Sequence, residues 1–194
     1  MARPSAKNRR TRRLSARRAV LKDLDLLVRQ RRAMWMDLGV KDASLHNRAD
    51  RAYRRWAKPR LESGKLIGWL VEDEEGTNAG SGCLWLQPVQ PSPRRTGELQ
   101  PYLLSMYTDP RFRRQGVASM IVNQAIAWCQ KHGYERLTLH ASEMGAKVYE
   151  QFGFKRGREM RLDLGEAPTK PRGIRRTIRR KTWSFKAVQA SGQM

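Results

Sequence analysis

Between Asp109-Pro110 and a long apolar segment the chain carries Arg111, Arg113, Arg114, Gln115, Gly116, Val117, Ala118 and Ser119. Those residue types in that order suit phosphate binding at the start of a helix. The first turn of a helix leaves its N–H groups unpaired and bears a partial positive charge, so anionic oxygens are attracted to it. Gly116 and Ala118 are small, which lets a ligand come close to the backbone. Three guanidiniums add full charges. Ordinary helix capping would use similar residues, so the loop alone leaves both readings open. The two cysteines, Cys83 and Cys129, sit in apolar runs and read as buried thiols. Their number and spacing match neither a disulfide framework nor a metal-ligand cluster.

The surroundings make the loop more specific. Arg113, Gly116 and Ala118 fit a pattern of Gln or Arg, two residues, Gly, one residue, then Gly or Ala, placed after a strand. Tyr149-Glu150-Gln151-Phe152-Gly153-Phe154 begins 36 residues beyond Arg113, with one helix and one strand between. Together these segments resemble the GNAT superfamily of N-acetyltransferases, over Leu14 to Leu164. The resemblance implies an α/β fold with a mixed, mostly antiparallel central sheet, splayed at the cofactor groove and flanked by about four helices. It also implies acetyl-CoA as co-substrate and no metal. The diphosphate would lie on Arg113, Arg114, Gln115, Gly116, Val117, Ala118 and Ser119. The pantetheine arm would run along Met106, Tyr107 and Thr108, where the strand must part from its neighbour to offer free N–H and C=O groups. A backbone N–H near Met106 would polarise the thioester carbonyl. An amine would attack directly in a ternary complex, with Tyr149 in the position of the family's general acid. A ring packed in the core with its hydroxyl satisfied is the alternative for that residue. Ser142 stands where many members carry an asparagine near the cofactor arm, and capping of the next helix is its other reading. Some members place a glutamate at the position of Tyr102, so that acid is missing here. Glu98, Glu143, His140 or a chain of waters remain as proton acceptors. Acceptor selection would fall to Trp35, Met36, Trp56 and the Pro88–Pro101 loop, although core packing suits both tryptophans.

The elements that must position these residues follow from periodicity. Leu14–Ala19 reads as a first strand. Asp23 then suits an N-cap, and Leu24, Leu27, Val28, Trp35 and Leu38 recur on one helical face before Gly39. A second helix is expected over Ser44–Leu61, with Gly64 as its stop. Lys65–Glu72 and Ser81–Leu86 form a hairpin across a long, acidic, turn-forming connection, Asp73–Gly80, rather than a two-residue turn. Tyr102–Thr108 is a buried strand that Asp109-Pro110 ends. Two adjacent apolar stripes, Ile121, Ala125, Trp128 and Val122, Ile126, Cys129, predict a helix packed broadly on a sheet. Arg136–His140, Ser142–Phe152 and Phe154–Leu164 read as strand, helix and strand. Trp183, Phe185 and Ala187 alternate, which allows one more strand.

Charge sets the remaining expectations. The chain of 194 residues has a net charge of +22. Residues 1–18 hold eight Lys/Arg and no acid, and residues 165–194 hold eight with Glu166 as the one acid. A basic disordered tail is expected over residues 1–13, a catalytic domain over 14–164, and a second basic tail over 165–194. Such tails attract polyanions through counterion release, so an RNA- or ribosome-binding protein on an acyl-CoA-binding scaffold is the alternative function. The first residues are Arg-rich like a transit peptide but run into a strand at Leu14, and no apolar signal core follows them. No run reaches the length of a membrane helix. A cytoplasmic protein acting on a small-molecule or protein amine is expected, with a homodimer allowed.

Overall fold

The computed structural model describes residues 13–93 and 96–160. The chain divides into two units, Met1–Lys155 and Arg156–Met194, and all the elements below belong to the first. They are β1 (Leu14–Arg18), α1 (Leu24–Asp37), α2 (Ala43–Glu62), β2 (Leu66–Asp73), β3 (Asn78–Pro88), β4 (Leu99–Thr108), α3 (Val117–Lys131), β5 (Thr138–Leu139) and α4 (Glu143–Gln151). Short 3-10 turns at Leu21–Asp23 and Pro110–Phe112 lead into α1 and toward α3. The sheet order is β1-β2-β3-β4-β5, with three antiparallel pairs and a parallel β4–β5 pair. Among the described residues this is the mixed, mostly antiparallel sheet with about four helices that the resemblance implies.

Side-chain alternation gives the sheet two buried faces. Ile67, Trp69, Leu84 and Leu103 meet Val122, Ala125 and Cys129 of α3 and Tyr149 of α4. On the opposite face Leu66, Leu70 and Cys83 meet Leu27 and Val28 of α1 and Tyr53 and Ala57 of α2. Trp69 is only 2% exposed, and emptying such a site costs about 3–5 kcal/mol. Both cysteines are buried and unlinked.

Several boundaries differ from expectation for physical reasons. Asp23 puts no side-chain hydrogen bond on α1. Its carboxylate instead accepts the Val20 N–H at 2.8 Å and two N–H groups of Arg17 at 2.8 and 3.1 Å, a charge-assisted arrangement that outweighs a neutral cap. The side chain that caps α2 is Asp42, which accepts from the backbone N–H of Ser44 and Leu45. The β2–β3 connection is a tight turn, because Asp73 Oδ1 accepts from the N–H groups of Glu75 and Thr77. β3 starts at Asn78, three residues earlier than predicted, since Gly80, which reads as a turn residue, is used for close packing. β4 takes in Pro101, whose carbonyl accepts from Thr138 Oγ1. Residues 154–160 carry no strand; with no ladder partner, the aromatic of Phe154 packs on Tyr149 instead. Residues 161–164, the alternation at Trp183–Ala187 and the tail at 1–12 lie outside the described residues.

Candidate active site

After β4, the Asp109 carboxylate accepts the Arg111 N–H and holds the Arg111 guanidinium through two further contacts at 2.9 Å. Phe112 is buried against Val117 and Ile121 and anchors the turn. Arg114 and Gly116 both have left-handed backbone, φ 63° and 85°. Reversals of backbone hand turn neighbouring N–H groups toward one concave side. Gly116 is the N-cap of α3 and offers no side-chain hydrogen bond, so among the described residues the first-turn amides of Val117, Ala118 and Ser119 have no side-chain cap. A Cβ placed on Gly116 would meet nothing within 4 Å, so the approach is open. The three arginines are unequal. Arg111 is held by Asp109, and Arg113 pairs with Asp37 at the end of α1, 2.6 Å away. Arg114 has no ion-pair partner among the described residues. Gln115 donates its side-chain N–H to the Arg111 carbonyl at 2.9 Å, so it closes the loop on itself.

β4 and β5 pair only at Tyr102–Thr138 and Leu103–Leu139. Beyond Leu103 that edge of β4 has no strand beside it among the described residues, while its other edge stays paired with β3 as far as Gly80–Thr108. Among the described residues that edge of β4 is therefore unpaired along Met106, Tyr107 and Thr108, the stretch along which the resemblance would run the pantetheine arm. A bulge sits at the opening. The β3 register slips between Ser81 and Cys83, and opposite it Ser105 has φ 54°. Gly80 and Gly82 allow the bulged strand to lie close. A Cβ at Gly80 would stand 2.4 Å from the Tyr107 carbonyl oxygen, and one at Gly82 would stand 2.4 Å from Met106 Sδ. Burial raises the Tyr107 phenol above its ordinary range, helped by Asp109 and Asp37.

Tyr149 comes to this region from the α3–α4 face. It is 9% exposed, with its ring on Gly145, where a Cβ would lie 3.2 Å from Cε2 and 3.3 Å from Ser142 Oγ. Burial pushes its phenol up to about 12. No hydrogen-bond partner for the hydroxyl is present among the described residues. Ser142 caps α4, accepting the Gly145 N–H at 3.2 Å. The structure thus brings Ser142 and Tyr149 together, with the serine in its capping role.

The candidates for proton acceptor separate clearly. Glu98 precedes β4, at the far end from the opening, roughly 20 Å or more from Met106 at ordinary strand rise. Glu143 is exposed in the first turn of α4, where a carboxylate complements the helix dipole. His140 follows β5, and its Nδ1 contacts the Tyr102 hydroxyl. The sequence names both residues but does not pair them, and it gives no sign of the Arg113–Asp37 bridge. Trp56 packs in the core against Tyr53 and Trp85. Trp35 departs from the core reading: it is 38% exposed, beneath the Arg31 guanidinium. Met36 is also exposed, at 52%.

With this geometry in place, known proteins supply the comparison. The profile of the Acetyltransferase (GNAT) family matches residues 24–154. The chain belongs to this family. Both the resemblance read from the two motifs and the enzyme class, an acetyl-CoA-dependent N-acetyltransferase, agree with that assignment. Over 93 residues the chain is 38% identical to an uncharacterized N-acetyltransferase, YsnE, of Bacillus subtilis, a match spanning 45% of this chain and 56% of the relative. A GCN5-related N-acetyltransferase of Ralstonia eutropha JMP134 superposes with a TM-score of 0.71 at 29% identity, over 79% of this chain and 100% of that one. A predicted acetyltransferase of Clostridium acetobutylicum, solved with acetyl-CoA, has a TM-score of 0.72 at 24% identity, over 80% and 99% of the two chains. That last likeness is one of fold.

Proposed function

We propose that this GNAT protein transfers acetyl from acetyl-CoA to a primary amine by direct attack in a ternary complex. The reading is carried by one juxtaposition: among the described residues, β4 is opened beyond Leu103 beside a helix start whose amides have no side-chain cap. The first-turn amides of α3 and the free guanidinium of Arg114 would hold the diphosphate. Arg113 would join them if its bridge to Asp37 yields. The open edge at Met106, Tyr107 and Thr108 offers N–H and C=O groups to an amide-bearing arm, and an N–H near Met106 would draw charge onto a carbonyl oxygen. Acetyl-CoA supplies an activated thioester. Tyr149, held protonated by burial, would give its proton to the departing sulfur. In this reading the enzyme works in the cytoplasm. Incubating the full chain with acetyl-CoA and a panel of small, polyamine and peptide amines should release free thiol in step with N-acetyl product. Product without thiol release, or thiol release without product, would contradict direct transfer.

Contact with polyanions has an observation of its own. Arg48, Arg51, Arg55 and Lys58 lie on the outward side of α2, opposite the buried Tyr53 and Ala57. All four are exposed and lack an ion-pair partner among the described residues, and they extend about 15 Å along the helix. Counterion release favours such a stripe meeting a phosphate backbone.

A further inference from the structure

We infer that Tyr102 and His140 together form the proton acceptor for the incoming amine. The inference rests on the acetyl-transfer reading and names a part of that same site.

Geometry carries it. Leu103 points to the α3 face, whereas Leu104 packs with Tyr53 and Ala57 on the α1–α2 face. Alternation therefore puts Tyr102 on the α1–α2 face, where its cross-strand partner is Trp85. Tyr102 and Leu103 are the last residues of β4 that pair with β5 before the strands part. His140 comes directly after β5, and its ring stands 5.6 Å from the Tyr102 ring, with Nδ1 against the hydroxyl. Thr138 accepts from Gln100 Nε2 at 2.7 Å and donates to the Pro101 carbonyl at 3.4 Å, which fixes β5 against β4 beside the pair. Tyr149 belongs to the opposite face. A proton donor and a proton acceptor thus flank the opening from its two sides, as an acid–base reaction across it requires.

The chemistry balances. An amine arrives as R–NH3+ and gives one proton to the Tyr102 oxygen while that hydroxyl passes its own proton to Nδ1 of His140. The free amine attacks the acetyl carbon, the C–N bond forms and the C–S bond breaks. The sulfur takes the Tyr149 proton, and the second proton on nitrogen restores Tyr149. His140 is exposed, so its extra proton leaves to water and the net release is one proton per turnover. Tyr102 is the group in contact with the amine, and His140 acts through it.

The test uses the full chain, Tyr102→Phe and His140→Ala, with acetyl-CoA and the best amine of the panel. Both variants should keep wild-type acetyl-CoA affinity by calorimetry and wild-type melting, while kcat falls about 100-fold. Added imidazole should restore part of the activity of His140→Ala and none of that of Tyr102→Phe. With an acceptor whose amine is uncharged at neutral pH, such as trifluoroethylamine, both losses should shrink toward unity. Retention of kcat within about twofold, or a failure of imidazole to rescue, would overturn the proposal while leaving acetyl transfer intact. Absence of transfer by the wild type to every amine would instead remove the reading beneath it.

Discussion

Tyr149 is suited to donating a proton because burial keeps it from losing one to solvent. Its phenol is pushed up to about 12, so it stays neutral through the range in which an enzyme works. Tyr149→Phe retains the ring that packs on Gly145 and Phe154, and is predicted to lower kcat by about 100- to 10,000-fold with unchanged acetyl-CoA affinity. Steady-state kinetics paired with calorimetry checks this; equal turnover would exclude the acid role. The arginines of the loop make a sharper comparison. Arg114→Ala should weaken acetyl-CoA binding by about tenfold, whereas Arg111→Ala should cost less, because Asp109 already neutralises Arg111. The same burial makes a pH prediction. The thiols of Cys83 and Cys129 are pushed up to about 12 and about 11, alongside Tyr149. Each folded-state value lies above the unfolded one, so this stability is complete below about pH 9 and is lost as pH rises toward 12. Thermal melts between pH 7 and 11 should be flat at first and then decline.

Among the elements, the bulged pair of β3 and β4 decides the shape of the opening. Gly80→Ala would drive a Cβ into the Tyr107 carbonyl, a backbone atom that cannot swing aside. The variant should lose about 1–3 kcal/mol in urea denaturation and bind acetyl-CoA more weakly. A wild-type unfolding midpoint would show that the two strands do not lie so close. Legibility in the sequence divides along the same line. The apolar stripes of α3, the hairpin of β2 and β3, the stops at Gly39 and Gly64, and the loop from Arg113 to Ser119 all follow from local periodicity and residue size. What the sequence leaves hidden depends on contacts between distant segments. Gly80 looks like a turn residue, and Gly82 like an ordinary strand position, until the strand that covers them is known. The pairing of Arg113 with Asp37 spans 76 positions, and that of Tyr102 with His140 spans 38. Phe154 is followed by Lys155, Arg156, Gly157, Arg158 and Glu159, so the described part of the predicted last strand has too few apolar residues to bury a face.

At the scale of the whole molecule, sixteen of the forty Lys/Arg fall in residues 1–18 and 165–194, apart in sequence from the proposed groove residues 102–149. Removing residues 1–13 and 166–194 should leave acetyl-CoA affinity intact and reduce retention on heparin. Some retention should survive through Arg48, Arg51, Arg55 and Lys58, and should disappear when these are changed to Glu. Loss of cofactor binding on truncation would mean that the domain edge lies further out. The account as a whole turns on whether the start of α3 and the open edge of β4 hold a diphosphate and its arm. Calorimetric titration of the full chain with acetyl-CoA tests that most directly, with Gly116→Val alongside. We predict one saturable site per chain for the wild type and a loss of at least about tenfold in affinity for the variant, whose branched side chain disfavours left-handed backbone and covers the amides. No saturable binding by the wild type, or equal affinity in the variant, would contradict the account.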